Sequence, residues 1–279
     1  MIAKKLNLRE SGKNIYSQNG DDGIIDKIFN IIGTESKICC EFGAWDGIHL
    51  SNTRNLILNG WTGILIEGDK RKFEELEQTY SGNMNVHCIQ AYVDVNHNDL
   101  LSIGRRSSLE KQLSALDFLS IDIDGLDYEI FQDLKLLPRV ICIEVNGGHS
   151  PDSDRYIERD IAKNNVGQSL RVFTKIGESK GYGLVCYTGN AFLIRNDIMR
   201  SCGIRPISSL EAYADYLENL SSSLKEWLYL VNAGIVPPFY KFKNGFATIS
   251  NLNIARSRAA FLIIKNRVRF QILKLLKRC

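Results

Sequence analysis

The stretch DFLSIDIDGLDYEIF, residues 117–131, runs from an apolar alternation into a group of acids. A strand has a side-chain period of two, so Asp122 and Asp124 face the same way at its end. The segment Ile143-Glu-Val-Asn146 repeats that spacing with Glu144 and Asn146. Carboxylates at the end of a buried strand are costly unless they are paired, hydrogen-bonded or holding a metal. Three chemistries would satisfy them. Carboxylates with an amide oxygen suit a hard cation, so Asp122, Asp124, Glu144 and Asn146 are candidate ligands for Mg²⁺ or another divalent ion. Such an ion would acidify a bound hydroxyl and orient it for attack. Without metal, the same acids would hydrogen-bond an ammonium and a substrate hydroxyl directly. Pairing with a base such as Arg139 would be purely structural. His149, after Gly147-Gly148, has the right side chain for a general base. A loop histidine with no role reads equally well.

Acids recur at other apolar run ends. Glu41-Phe-Gly-Ala-Trp-Asp-Gly47 follows the run KICCEF. Its glycines allow a tight turn and close approach to a ligand. A dinucleotide loop would read G-x-G-x-x-G and face a pyrophosphate. Glu41 and Asp46 would repel a pyrophosphate and suit a ligand carrying an ammonium and a sulfonium, such as S-adenosylmethionine. Glu67 lies twenty residues past Gly47, the interval at which an acid accepts ribose hydroxyls. Asp69 reads as the N-cap of the next helix. Asp94 ends a third run and is placed to take an adenine amino group. Three acids at three successive run ends form a nucleoside site more readily than any one of them alone.

The elements that must position these residues alternate. Strands are expected at 37–42, 62–66, 85–93, 117–123, 139–145, 182–187 and 191–195. Helices are expected at 21–32, where Gly33 stops the turn, and at 50–58, 70–80, 128–134 and 168–180. Strands alternating with helices give a mostly parallel sheet covered on both faces, with ligands outside the strand carboxyl ends.

The blocks Tyr16-Ser-Gln-Asn-Gly-Asp-Asp-Gly23, Glu41-Phe-Gly-Ala-Trp-Asp-Gly47, Ser51-Asn-Thr53, Gly60-Trp-Thr-Gly63, Ile66-Glu-Gly-Asp69, Ser120-Ile-Asp-Ile-Asp-Gly-Leu-Asp-Tyr128, Ile143-Glu-Val-Asn146 and Lys180-Gly-Tyr-Gly-Leu-Val185 occur in that order. Together the chain resembles the FkbM-type S-adenosylmethionine-dependent methyltransferases. The resemblance implies an α/β fold: a Rossmann-like, doubly wound, mostly parallel seven-stranded sheet with an antiparallel last strand. It implies O-methylation of a sugar, a glycan or another hydroxyl-bearing small molecule. The matching positions Gln18, Ala44, Ser51, Asn52 and Ser120 join Glu41, Gly43, Gly47, Glu67 and Asp94 as cofactor-binding candidates. Gln18 sits in a segment implied to fold over the cofactor. Asp122, Asp124 and His149 are the catalytic candidates. Many family members carry Lys-x-Asp-x-Glu-Gly where this chain has Ser120-Ile-Asp-Ile-Asp-Gly125, so a lysine that would steady the acceptor is absent. Asp122-Ile-Asp-Gly125 also resembles the haloacid-dehalogenase phosphatase motif. That family places Thr after the Gly, where Leu126 stands, and needs a later Gly-Asp-x-x-x-Asp that the sequence lacks.

The 279 residues suit a methyltransferase domain over 1–200 and a helical, basic extension over 201–279. The net charge of +3 conceals an asymmetry: residues 231–279 hold ten Lys or Arg and no acid, so the remainder carries −7. Residues 254–279 place apolar side chains on a helical stripe among eight basic ones. Such a helix would lie on an anionic membrane surface, or pack on its own domain or on an oligomer partner. No aromatic-interleaved basic module points to nucleic acid. The seven cysteines form no C-x-x-C pair, and the chain opens without an apolar leader. Reduced thiols and a cytoplasmic location, peripheral to the membrane where the tail binds lipid, are expected. A non-catalytic module binding glycan or lipid on the same fold is the alternative.

Overall fold

The computed structural model describes residues 3–95, 98–123, 125–147, 149–158 and 167–219. Seven strands form one sheet: β1 (Ile38–Phe42), β2 (Thr62–Glu67), β3 (Val86–Gln90), β4 (Phe118–Ile121), β5 (Val140–Glu144), β6 (Tyr182–Tyr187) and β7 (Asn190–Arg195). Their order is β3-β2-β1-β4-β5-β7-β6. Neighbours from β3 through β5 pair in parallel, and β7 runs antiparallel to both β5 and β6. This is the Rossmann-like, doubly wound sheet expected, reversed last strand included.

The strands are apolar on both faces because helices cover both. On one face α1 (Asp21–Ile32), α2 (Arg54–Leu58), α3 (Lys70–Thr79) and α8 (Asn196–Ser201) bury Ile24, Ile28, Leu56, Leu76 and Met199 against Cys39, Leu65, Phe118 and Phe192. On the other face lie α4 (Leu100–Arg106), α5 (Glu110–Leu113), α6 (Asp127–Asp133), α7 (Leu170–Ser179) and α9 (Ser209–Glu218). They bury Ile103, Leu113, Phe131, Phe173 and Ala212 against Phe42, Ile66, Ile121 and Leu193. Helices α4, α5 and α8 were not expected from the sequence, and α9 falls in the stretch expected to be helical after residue 200. Helices α4 and α9 start at clear caps: Asp99 accepts from the amides of Leu101 and Ser102, and Ser208 accepts from Glu211 N–H. Among the described residues no helix is long and apolar enough to cross a membrane. The basic segment 254–279 lies outside the described residues.

Two boundaries differ from expectation for physical reasons. Helix α2 begins at Arg54 rather than residue 50, because the side chains and amides of 51–53 bond elsewhere, as described below. Strand β4 ends at Ile121 rather than 123. The Asp127 carboxylate accepts from Ile123 N–H and Gly125 N–H, both at 2.9 Å, and turns the chain out of the sheet.

At the amino ends of the strands one carboxylate ties three elements together. Asp117 is fully buried and accepts from the backbone amides of Glu35, Ser36 and Lys37 at 2.8 to 3.2 Å. Arg139 Nη1 donates to Asp117 Oδ1 at 2.8 Å and to Gly33 O at 2.9 Å, while Nη2 donates to Ile32 O at 3.1 Å. Arg139 is therefore engaged at the opposite edge of the sheet from Asp122. Cutting Asp117 to Ala leaves the buried guanidinium with only exposed Glu35, 3.3 Å from its Nε, as an acidic partner. The expected loss is about 3–5 kcal/mol of stability, read from urea denaturation midpoints. A loss under about 1 kcal/mol would show that this anchor is dispensable.

Candidate functional site

The carboxyl ends of β1, β2, β4 and β5 adjoin in the sheet, and the candidate residues gather there. Glu41 is 4% exposed, and every oxygen it has is engaged. Oε2 accepts from Ser51 Oγ and Thr53 Oγ1, both at 2.7 Å, and Oε1 accepts from Asn52 N–H at 2.8 Å. Burial raises its pKa, and these bonds oppose the rise. Asn52 then reaches across the sheet: its Nδ2 donates to Ser120 Oγ at 3.0 Å and lies 3.8 Å from Cys142 Sγ. Thus Glu41, Ser51, Asn52 and Ser120 form one buried network beneath the edge.

The loop after β1 lies against β4. Gly43 has φ +66, and a Cβ there would stand 2.1 Å from the carbonyl oxygen of Asp122, so only glycine fits. Ala44 is buried and donates its N–H to Ile66 O. Gly47 has φ +73 and packs against Leu76 and Tyr80. Trp45 is held at φ +51, a costly angle for a bulky residue. Its N–H donates to Glu67 Oε2 at 2.9 Å, while Glu67 Oε1 accepts from Asp69 N–H at 2.7 Å. The acid of β2 thereby fixes the glycine loop of β1. Each of its oxygens keeps a second lone pair. Asp69 caps α3, as expected. Asp94 accepts from Asn98 N–H at 3.1 Å and shapes its own turn.

Strands β4 and β5 are adjacent, with Ile121 opposite Ile143. Asp122 follows the last paired residue of β4, Glu144 ends β5, and Asn190 of β7 is the register partner of Glu144. Asn146 is half-buried one step further on. Asp124 lies outside the described residues. Among the described residues no three His, Cys, Asp or Glu side chains converge as a metal-binding group. No step below is routed through a metal. His149 is half-buried with Nε2 buried and unpartnered. Burial lowers its pKa, opposed by a backbone hydrogen bond at Gly167. That leaves a neutral imidazole with a free ring nitrogen.

The structure brings in residues that the sequence reading left without a role. Asp22 Oδ2 accepts from the amides of Ile15, Tyr16 and Ser17, each at 2.8 Å, and Ser17 Oγ accepts in return from Asp22 N–H. This fold-back places half-buried Gln18 in the turn before α1. Asp21 is fully buried, and Asn190 Nδ2 donates to its Oδ2 at 2.9 Å. The Thr188 hydroxyl is close but is turned to the Asn190 carbonyl, and Asp21 Oδ1 has no partner. Arg54 lies between the rings of Tyr16 and Tyr80, 5.0 and 5.6 Å from their centroids. The signal for Asp21 and Asp22 was the Gly-Asp-Asp at a helix start, which reads as an ordinary first turn. Asp127 was visible in the acidic stretch, but its capping role depends on a turn not readable from spacing.

No family model and no curated protein matches the chain. The chain is similar to several solved structures. One is an Aquifex aeolicus SAM-dependent methyltransferase, at 13% identity and TM-score 0.35, covering 61% of this chain and 86% of that one. Another is the N-terminal domain of EvdMO1 in the presence of SAH and D-fucose, at 14% and 0.41, covering 63% and 81%. A third is a Leishmania major SAM-dependent methyltransferase, at 16% and 0.38, covering 61% and 70%. At these identities the likeness is one of fold.

Burial pushes the Asp21 carboxyl up to about 7, against the opposing pull of Thr188, Asn190 and Arg9. In the unfolded chain it titrates near ~3.9. Between those values the folded state keeps a proton that the unfolded state has lost, so this group's contribution to stability falls as pH rises. Asp21→Asn removes the effect. Its stability relative to the parent should climb from pH 4 to pH 7, by at most about 1.4 kcal/mol per pH unit, and level off above. Parallel stability curves from urea melts would contradict this.

Proposed function

We propose that the chain is an S-adenosylmethionine-dependent O-methyltransferase of the FkbM type, acting on a hydroxyl of a sugar or glycan-type acceptor. The observation that carries the reading is the tie between Glu67 and the glycine loop: the acid ending β2 holds Trp45 N–H and retains lone pairs at the strand carboxyl edge. The residues present fit the cofactor. Glu67 would accept its ribose hydroxyls, the backbone beside Gly43 would approach it closely, and Asp94 would take its base. The bound cofactor supplies a methyl group on a sulfonium. His149 Nε2 would accept the proton of the acceptor hydroxyl, and Asp122 and Glu144 would orient that hydroxyl through hydrogen bonds. The polar loop 147–154 beside His149 supports a polar, hydroxyl-rich acceptor; the sugar class itself rests on the motif resemblance. For the basic segment 254–279 the proposal is peripheral contact with anionic lipid.

Calorimetric titration with S-adenosylmethionine and S-adenosylhomocysteine, each with Mg²⁺ and with EDTA, tests the core of the reading. Micromolar binding is expected, weakened at least tenfold in Glu67→Gln with the circular dichroism spectrum unchanged. No binding under any condition would overturn it. With a hydroxyl acceptor in hand, His149→Ala should lower kcat by roughly 10²–10⁴ with little change in KM. An unchanged kcat would remove His149 from the chemistry, and binding without turnover on any glycan or sugar would favour the non-catalytic module.

A further inference from the structure

One guanidinium joins three segments at the carboxyl edge of the sheet. Arg54 opens α2, and its Nη1 donates to Gly47 O at 3.3 Å. Its guanidinium carbon lies 5.0 Å from the centre of the Tyr16 ring and 5.6 Å from that of Tyr80. Its Nε is buried without a hydrogen-bond partner, so the two rings and one carbonyl are what hold it. A cation over an aromatic face is attracted by the ring, the more so where water is excluded.

The two rings are held unequally. Tyr80 is buried at the end of α3, and its hydroxyl donates to Gly47 O at 2.9 Å. Tyr16 is half-buried in a loop that exposes Asn14, Ile15 and Asn19. That loop has a neck of its own. Lys13 N–H donates to Gly20 O at 3.2 Å, Gly23 N–H donates to Lys13 O at 3.3 Å, and Asp22 holds the amides of Ile15, Tyr16 and Ser17. A Cβ at Gly20, where φ is +90, would stand 2.9 Å from Gly12 Cα, so glycine is what lets the two ends meet. The shape of the loop therefore does not depend on Arg54. Its placement does. Tyr16 sets it on the guanidinium that is bonded to the glycine loop of β1. At its other end Arg9 Nη1 donates to Asn19 O at 3.3 Å, and a Cβ at Gly189 would stand 3.1 Å from Asn19 Nδ2. Loop 14–19 thus meets both the glycine loop and the β6–β7 turn at the carboxyl edge.

We propose that Arg54 is a positioning residue that latches loop 14–19 onto the glycine loop, and that the parting of Tyr16 from Arg54 opens this edge for ligand release. The inference rests on the methyl-transfer reading above. A loop with a preformed neck swings as a unit, so opening breaks a ring contact and unfolds nothing. Arg54 stays behind with the glycine loop, because Gly47 O and the buried Tyr80 ring still hold it.

The test is the rate at which S-adenosylhomocysteine leaves the full chain, measured by stopped-flow displacement. Loss of one cation–π contact corresponds to a factor of roughly 2 to 30, so Tyr16→Ala should release the ligand faster by that factor. Tyr16→Phe keeps the ring face and should release it at the parental rate. Arg54→Met keeps the length without the charge and should speed release at least as much as Tyr16→Ala. In that background Tyr16→Ala should add less than about twofold, because its partner is already gone. Parental release from both Tyr16→Ala and Arg54→Met would overturn the inference and leave the methyl-transfer reading standing. Faster release from Tyr16→Phe would assign the effect to the hydroxyl, and effects that multiply in the double variant would show two side chains acting apart; either result also overturns it. Absence of any S-adenosylhomocysteine binding to the unaltered chain would instead remove the methyl-transfer reading, and the latch with it.

Discussion

The carboxyl edge of the sheet depends on a carboxylate that barely meets solvent. Glu41 closes β1 and turns both its oxygens onto the chain that follows: two hydroxyls and an amide of residues 51–53. Those bonds delay α2 until Arg54 and hold Asn52 so that it spans to Ser120 on β4. A loop of ten residues between strand and helix is thereby given one geometry. Remove the carboxylate, and three donors lose their acceptor at once in a place water reaches poorly.

The same device recurs, with one acid for each loop. Asp22 gathers three amides of the segment before α1. Asp127 gathers two amides of the turn after β4. Asp117 gathers three amides at the amino edge and adds Arg139. A carboxylate facing several N–H groups recovers through charge-assisted bonds much of what it lost on leaving water. These acids tie each loop to one backbone path. Asp21 is the exception: one neighbouring amide donates to it and one oxygen has none, so burial dominates and the carboxyl holds its proton to about 7.

The alternation of strands and helices and the position of acids after β1, β2 and β4 were readable from period and run length. Each strand is a short apolar run bounded by a turn signal, and the reversed β7 agrees with what the motif resemblance implies. What was not readable depends on contacts between distant residues. Arg139 looked available to Asp122, but pairing across 22 residues with Asp117 puts it at the far edge. Helices α4, α5 and α8 span only four to seven residues, too few to show an apolar period, and of these only α4 has a side-chain cap, at Asp99. Glu41 was legible as an acid at a strand end. Its full engagement by 51–53 was not, because spacing cannot say which donors a buried oxygen will meet.

Hydrogen-bonding capacity left over after folding is itself a map. Among the described residues, Asp21 Oδ1, Asp22 Oδ1, Asn52 Oδ1 and His149 Nε2 are buried and unpartnered, and all four belong to segments meeting the carboxyl ends of the strands. At the amino edge Asp117 is saturated by Arg139 and backbone amides, and the unpartnered atom there is a donor, Arg139 Nε. A fold that satisfied both edges equally would have no preferred face for a polar ligand. Here the unmet acceptors lie where open α/β sheets bind ligands, on the side where the glycine loop permits close approach. Three of the four are carboxyl or amide oxygens, which suit a ligand that brings hydrogen-bond donors, and the unpartnered Nε atoms of Arg9 and Arg54 add donors of their own.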